Sequence, residues 1–550
     1  MKAWVSQGGI PAHPKVRKKN EIGNQSAREP CPEYRNLLYW DCHLTTYRTL
    51  PMLTLGLDIG SSSIKVALFD AASGRLLASA YAPRQEMPII ARQAGWAEQD
   101  PAAWWDHVKT ATAEVLSAAG RPGKEVGAIG ISYQMHGLVV VDGEMNVLRP
   151  SIIWCDSRAT EIGRAAFEKL GHDRCLRTVL NSPGNFTLSK LRWVKENEPS
   201  LFAKIHKYML PGDYVAMRLT DRIATTVPGL SEGMAWDFSA HAPAAFLLKE
   251  YGVPSSLLAE TVPTFGDQGR VSQAAAVALG LKAGIPVTYR AGDQPNNAFS
   301  LNVLQPGEVA ATAGTSGVVY AVNDTPEADP QSRVNSFAHV THDERAPRIG
   351  VLLCINGCGI ANSWTRRTLG LAGVPYEELN ARASAVPPGS GGLVVLPFGN
   401  GAERMFGDRD IGAQIIGASY TTHGEAQMLR AVQEGVAFSF KYGMDLMTGL
   451  GITPGVIRAG DANLFRSRIF CDTLAGTAGV AIELYNTDGA QGAARGAALG
   501  AGFFTSPAEA FGGLTRRAFI EPDRKRSGEY GDIYGRWHDL LSLALSRKPG

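Results

Sequence analysis

Two stretches of the chain share one pattern. Residues 55–70 (Leu-Gly-Leu-Asp-Ile-Gly-Ser-Ser-Ser-Ile-Lys-Val-Ala-Leu-Phe-Asp) and 309–322 (Val-Ala-Ala-Thr-Ala-Gly-Thr-Ser-Gly-Val-Val-Tyr-Ala-Val) each run apolar, turn on Gly, Ser or Thr, and run apolar again. This predicts two β-hairpins whose turns let backbone N–H groups approach an anion. Between and after them the period changes. Asp100 can cap a helix that starts at Pro101, buries Trp104, Trp105, Val108, Val115 and Leu116, and stops at Gly120. Apolar runs at 126–132, 138–141 and 286–289 read as strands. Met428, Leu429, Val432, Val436, Phe440 and Met444 recur at helical spacing within 425–447, where Ala431 and Gly435 allow close packing. A strand at 455–458 and a small-residue helix at 489–502 complete the pattern. Strands and helices alternate in both halves, which predicts an α/β fold.

Composition bounds this picture. A chain of 550 residues exceeds one hydrophobic core and should divide into two large domains. With 45% hydrophobic and 19% charged residues it has the composition of a globular protein. A net charge of +2 leaves no footprint for nucleic acid or an acidic membrane, and no apolar run reaches membrane-spanning length. The seven cysteines are scattered. Cys354 and Cys358 stand four apart but lack a second Cys/His pair, so reduced thiols in a cytoplasmic enzyme are expected rather than a zinc site. The first 50 residues hold eight Lys/Arg against four acids, without periodic pattern or signal core. Residues 1–51 are therefore expected as a disordered extension ahead of a folded enzyme beginning at Met52.

Four places can carry chemistry. Asp58 ends a buried strand beside the turn Gly60-Ser61-Ser62, where a carboxylate can serve Mg²⁺ near phosphate or cap its own turn. Gly314, Thr315 and Ser316 offer N–H groups and hydroxyls for phosphate, or only a hairpin turn. Asp293 follows the 286–289 strand, placed to take a proton from a hydroxyl or to serve as a turn residue. His136, between two strands, is a structural hydrogen-bonding residue or a ligand contact.

Taken together, order and spacing resemble the FGGY family of carbohydrate kinases, most closely its xylulokinase branch, from Met52 to about Gly502. The resemblance rests on the first hairpin, Gln134-Met135-His136-Gly137, Ile153-Trp154-Cys155-Asp156-Ser157-Arg158, and Thr187-x-x-Lys190-Leu191-x-Trp193-Val194-x-Glu196-Asn197. It continues through Gly292-Asp293-Gln294, Gly314-Thr315-Ser316-Gly317 and Ala431-Val432-Gln433-Glu434-Gly435. It implies duplicated ribonuclease H-like, actin-type ATPase domains around a cleft. Residues 52–302 would form the sugar-binding N-terminal domain, 303–505 the nucleotide-binding C-terminal domain, and 506–550 an appendage. It further implies ATP and Mg²⁺, Asp293 as general base, and Asp58 as the magnesium-associated carboxylate. Gln134, Met135, His136 and Asp293 would bind D-xylulose; Gly60, Ser61, Ser62, Gly314, Thr315, Ser316 and Gly460 would bind nucleotide. A homodimer is left open.

Three departures stand out. Tyr133 replaces a common Gly, Pro295 replaces a small residue, and Ala459-Gly460-Asp461-Ala462-Asn463 keeps Gly460 but lacks the extra glycines and basic residue of the family's adenine-site segment. Rival readings are a kinase of the family acting on ribulose, fuculose, rhamnulose or glycerol, and an actin- or chaperone-like ATPase without a sugar substrate.

Overall fold

The computed structural model describes residues 52–407 and 409–547; the 1–51 extension lies outside the described residues. Strands β1 (Leu53–Ile59) and β2 (Ile64–Asp70) form the first hairpin, and β3 (Arg75–Ala82) continues it antiparallel. Helix α1 (Pro101–Ala119) is capped as its sequence predicts. The Asp100 carboxylate accepts from the Ala102 N–H, and Gly120 closes the helix at φ 61°. The helix returns the chain to β4 (Val126–Tyr133), parallel to β1, and β5 (Val287–Gly292) lies parallel to β4. The intervening residues carry α2 (Thr187–Asn197) and α3 (Val227–Glu232). The first sheet thus has the order β5-β4-β1-β2-β3.

After α4 (Asp293–Ser300) the plan repeats. β6 (Glu308–Ala313) and β7 (Gly317–Asn323) form the second hairpin. β8 (Asn335–Ala338) and β9 (Ile349–Ile355) follow, and β9 pairs with β7. Beyond α5 (Gly359–Thr368) and the long α6 (Glu425–Thr448), β10 (Val456–Gly460) joins β6 in parallel. Helix α7 (Arg468–Ala478) then leads to β11 (Ala481–Tyr485), parallel to β10. The second sheet reads β8-β9-β7-β6-β10-β11 and ends on a further strand. Within it, β9-β7-β6-β10-β11 repeats β3-β2-β1-β4-β5 in order and direction. The duplicated ribonuclease H-like, actin-type fold is the architecture of this chain.

Two helices cross between the sheets. Helix α8 (Gly489–Gly500), the small-residue helix, leaves β11 and lies on β1, β4 and β5 of the first sheet. Strand β1 alternates to meet it. Leu53, Leu55, Leu57 and Ile59 enter the core with Trp104, Val108 and Val115 of α1, while Thr54, Gly56 and Asp58 face α8. Thr54 Oγ1 donates to the Ala494 carbonyl at 2.8 Å, and Thr288 Oγ1 to that of Ala497 at 2.8 Å. A Cβ on Gly56 would overlap the Ala490 carbonyl, and one on Gly130 that of Ala493. Helix α4 crosses the other way, from β5 toward β6 and β7. Its Asn296 Nδ2 donates to the Gly489 carbonyl at 2.9 Å, and its Ser300 Oγ to that of Asp488 at 2.9 Å.

Residues 506–547, within the segment expected as an appendage, supply the edge strand β12 (Arg516–Ile520) and the helix α9 (Ser527–Ser546). Trp537 of α9 is buried and donates to the Val395 carbonyl at 2.9 Å.

Gly56→Ala should therefore cost about 1–3 kcal/mol in denaturant unfolding, since backbone, not a flexible side chain, blocks the methyl. Gly531→Ala, on open surface of α9, should be neutral or slightly stabilising in the same measurement.

Candidate active site

Asp58 occupies the last turn-facing position of β1, and α8 delivers its N-terminus there. A Cβ on Gly489 would press on the Asp58 carboxylate, and Asp488 caps α8 by accepting from the Gln491 N–H at 2.9 Å. Ser132 Oγ of β4 donates to Asp58 Oδ1 at 2.9 Å. Burial raises the Asp58 carboxyl above the usual carboxylate range, and the Asp488 charge adds to it against the opposing pull of Lys65. A carboxylate pair at a helix N-terminus is short of positive charge; this donor set suits a hard cation that also meets phosphate.

Asp293 is the first residue of α4, so it is a helix-initiating residue rather than a loop turn. Burial lifts its carboxyl to about 7, with Asp58 repulsion adding and the Gln294 N–H and side chain opposing. Asp293 follows β5 of the first sheet directly, and its helix packs on β6 and β7 of the second, so it lies where both sheets meet. Pro295 sits buried in the first turn of α4, where its missing N–H leaves no helical bond unmade.

On the far side of Asp293 stands the Gln134–Gly137 segment. Met135 packs on Gly292, the residue before Asp293. His136 has the left-handed φ of 60°, a strained value for a residue with a side chain. Its ring lies edge-on to Phe186 (4.7 Å) and tilted on Phe337 of β8 (5.3 Å). His136 Nδ1 meets the Glu232 carbonyl at 3.1 Å, so it carries the proton and Nε2 is left as an acceptor. Burial, then the nearby Lys190 charge, lowers this imidazole to about 3, and it is neutral at physiological pH. Lys190 itself is fully buried and donates to the His136 and Ile153 carbonyls at 2.9 and 3.0 Å. Burial lowers its ammonium to about 8.

Gln134 reaches the first turn through its amide nitrogen, while its Oε1 has no hydrogen-bond partner. Its Nε2 donates to Gln99 Oε1 at 3.4 Å, and Gln99 donates to the Ser61 carbonyl at 2.7 Å, so Gln134 braces the first turn. In that turn Gly60 and Ser61 are half-buried, Ser62 is exposed, and Ser61 Oγ accepts from Trp154 Nε1 at 3.3 Å. The second turn is held by α5: the Gly359 N–H donates to the Gly314 carbonyl at 2.8 Å and the Ile360 N–H to that of Thr315 at 3.2 Å. Thr315 is exposed and Ser316 half-exposed. Gly460 ends β10 beside the Thr487 carbonyl, adjoining the Asp488 cap of α8. Asn463, at φ 54°, reaches toward Gly314.

Sequence reasoning passed over Asp488, Gly489 and Glu232. Asp488-Gly489 was visible as a cap before a helix, and Glu232 as a lone acid in the Gly- and Met-containing run 228–236. The five described cysteines are free, and among the described residues no group of three or more His, Cys, Asp or Glu could hold a metal ion by itself, so a cation beside Asp58 and Asp488 would need phosphate oxygens as well. No described helix is long and apolar enough to cross a membrane.

Comparison with known proteins agrees with this architecture. The model of the FGGY family of carbohydrate kinases, N-terminal domain, matches residues 53–300, and that of the C-terminal domain matches 309–504. The chain belongs to the FGGY family of carbohydrate kinases and is a sugar phosphotransferase. It is 29% identical over 466 residues to a xylulose kinase of Bacillus subtilis (strain 168), covering 82% of this chain and 89% of that protein. It is 32% identical over 398 residues to a xylulose kinase of Streptomyces rubiginosus, covering 72% and 76%. The crystal structure of a xyloylose kinase from Brucella ovis superposes with a TM-score of 0.80 at 27% identity, covering 89% of this chain and 99% of that one.

The raised Asp293 carboxyl has a consequence for stability. Its unfolded value is 3.8 and its folded value about 7, so the folded state binds the extra proton between these values. Stability from this group therefore falls as pH rises from about 4 to 7. Asp293→Asn should stabilise the protein at pH 8 by on the order of 1 kcal/mol or more, with the gain absent at pH 3.5 in the same unfolding measurement.

Proposed function

We propose that this chain transfers the terminal phosphoryl group of ATP to the 5-hydroxyl of D-xylulose, giving ADP and D-xylulose 5-phosphate. The observation that carries the chemistry is the placement of Asp293, between Met135 and His136 on one side and Asp58 with the α8 N-terminus on the other. The relatives named as xylulose kinases and the Gln134-Met135-His136-Gly137 segment support the choice of sugar.

Phosphoryl transfer asks the protein for in-line placement and neutralised charge. The sugar hydroxyl oxygen forms its bond to the terminal phosphorus as the bond from that phosphorus to the bridging oxygen of ADP breaks. Asp293 orients the hydroxyl and accepts its proton; a carboxyl at about 7 is matched to that task near neutral pH. Neutral His136 offers Nε2 to another sugar hydroxyl, and Met135 shapes the apolar wall. The turns at Gly60-Ser61-Ser62 and Gly314-Thr315-Ser316 present N–H groups and hydroxyls to the phosphates. The α8 N-terminus adds the favourable end of a helix dipole, and Gly460 faces the nucleotide. Asp58, with Asp488 behind it, would hold Mg²⁺, which when bound offsets phosphate charge. Closure of the lobes would keep water from the terminal phosphate. A cytoplasmic location accords with the free thiols.

A coupled ADP-release assay over ketopentoses, fuculose, rhamnulose and glycerol tests the substrate. D-xylulose should give the highest kcat/KM, and preference for another sugar or polyol would transfer the activity to it. Nucleotide turnover indifferent to every sugar would overturn the proposal. Asp293→Asn should lose on the order of 10²–10⁴ in kcat while still binding ATP. In the wild type, kcat/KM should fall about tenfold per pH unit below an acid limb near pH 7, as Asp293 takes up its proton.

A further inference from the structure

The end of α3 brings a carboxyl group into the sugar side of the cleft that the mechanism above does not use. Glu232 is 2% exposed, and among the described residues neither Oε1 nor Oε2 has a hydrogen-bond partner of good geometry. Its Oε2 stands 3.7 Å from His136 Nδ1, and 3.2 Å from where a Cβ on Gly292 would be. The carboxyl thus lies between the Met135–His136 segment and Asp293, whose charge it senses.

Behind it is Tyr133, fully buried, its ring filling the space a Cβ on Gly212 would take and its hydroxyl likewise without a well-formed partner. The Tyr133 hydroxyl faces Glu232 and favours its charged form, yet burial outweighs this and raises the Glu232 carboxyl well above the usual range. The neighbouring cations are engaged elsewhere. Arg290 pairs with Asp213 at 3.0 Å and donates to the Ala224 carbonyl at 3.0 Å. Lys190 Nζ is held by the two carbonyls already described.

The Tyr133 hydroxyl can serve one oxygen of Glu232 at most, and burying a carboxyl group whose hydrogen-bonding capacity is otherwise unfilled is costly. Its position beside two sugar-side residues means that the missing partner can arrive with the substrate. We propose that Glu232 is a specificity-determining residue of the sugar site: its carboxyl hydrogen-bonds one substrate hydroxyl other than the phosphorylated one, and Tyr133 orients it. This rests on the reading of the cleft as a ketose or polyol site. A site built around a buried polar group rejects an analogue lacking the matching hydroxyl far more strongly than an apolar pocket rejects a missing methylene.

The test compares kcat/KM of the full chain for D-xylulose and for analogues each lacking one non-reacting hydroxyl. One analogue should be poorer than the parent by about 10²-fold or more in the wild type. In Glu232→Leu that single ratio should collapse toward one, while the ratios for the other analogues stay as in the wild type. Should the leucine variant fail to fold, Glu232→Met, unbranched and adaptable, carries the same comparison. A loss shared equally by parent and all analogues, or a discrimination that persists without the carboxyl, would overturn the inference and give Glu232 a structural role. Wild-type turnover is read first. If D-xylulose is not phosphorylated but another sugar or polyol is, the substrate proposal falls, and the deoxy series built on the accepted substrate decides the role of Glu232 separately.

Discussion

The contact on which the active site depends is the seating of α8 against the first sheet. A strand has two faces, and β1 spends one on the core with α1 and the other on Thr54, Gly56 and Asp58. The second face is shallow because its middle residue lacks a side chain, so the alanine-rich helix settles onto backbone, and hydroxyls of Thr54 and Thr288 fasten its carbonyls. The depth of that fit sets where the helix begins. Gly489 meets Asp58 only because both the strand face and the helix surface are pared down. A helix that follows the second sheet in sequence thereby completes a site on the first.

Charge follows from the same burial. Asp58, Asp293 and Glu232 are all carboxyl groups whose ionised forms are disfavoured by removal from water. In the proposed reaction each would be compensated on binding: Asp58 by a phosphate-associated cation, Asp293 by the reacting hydroxyl and Glu232 by a non-reacting one. Lys190 and His136 are shifted the opposite way by the same cause, so the imidazole stays neutral and its Nε2 is able to accept a hydrogen bond. The cleft is therefore a region of electrostatic cost, and a site of this kind is expected to lower stability in exchange for activity. The left-handed φ of His136 belongs to that pattern, held by Phe186, Phe337 and Lys190 around it.

Much of the scaffold was legible from local signals. Both hairpins, the α1 caps at Asp100 and Gly120, the apolar stripe of α6 and the small-residue α8 each carry their cause within a few residues of chain. Asp293 stood out because it ends an apolar strand, and the structure adds that it begins a helix. Gln134 was legible as part of a motif but not in its direction: adjacent residues point to opposite sides, and Gln99, distant in sequence, decides which partner it finds. Residues 506–547 lacked a strong pattern because β12 is an edge strand that takes its definition from β11.

The sequence by itself determined the alternation of strands and helices, their duplication, and the residue types able to handle phosphate and a hydroxyl proton, because periodicity, capping and turn chemistry act over short range. Only the tertiary structure decided that Asp58, Gly489 and Asp293 converge, that burial holds His136 in its neutral form, and that the Glu232 carboxyl is buried beside Met135 and His136 with its hydrogen-bonding capacity largely unfilled. Those properties arise from desolvation and from contacts between segments hundreds of residues apart, and no window of sequence contains them.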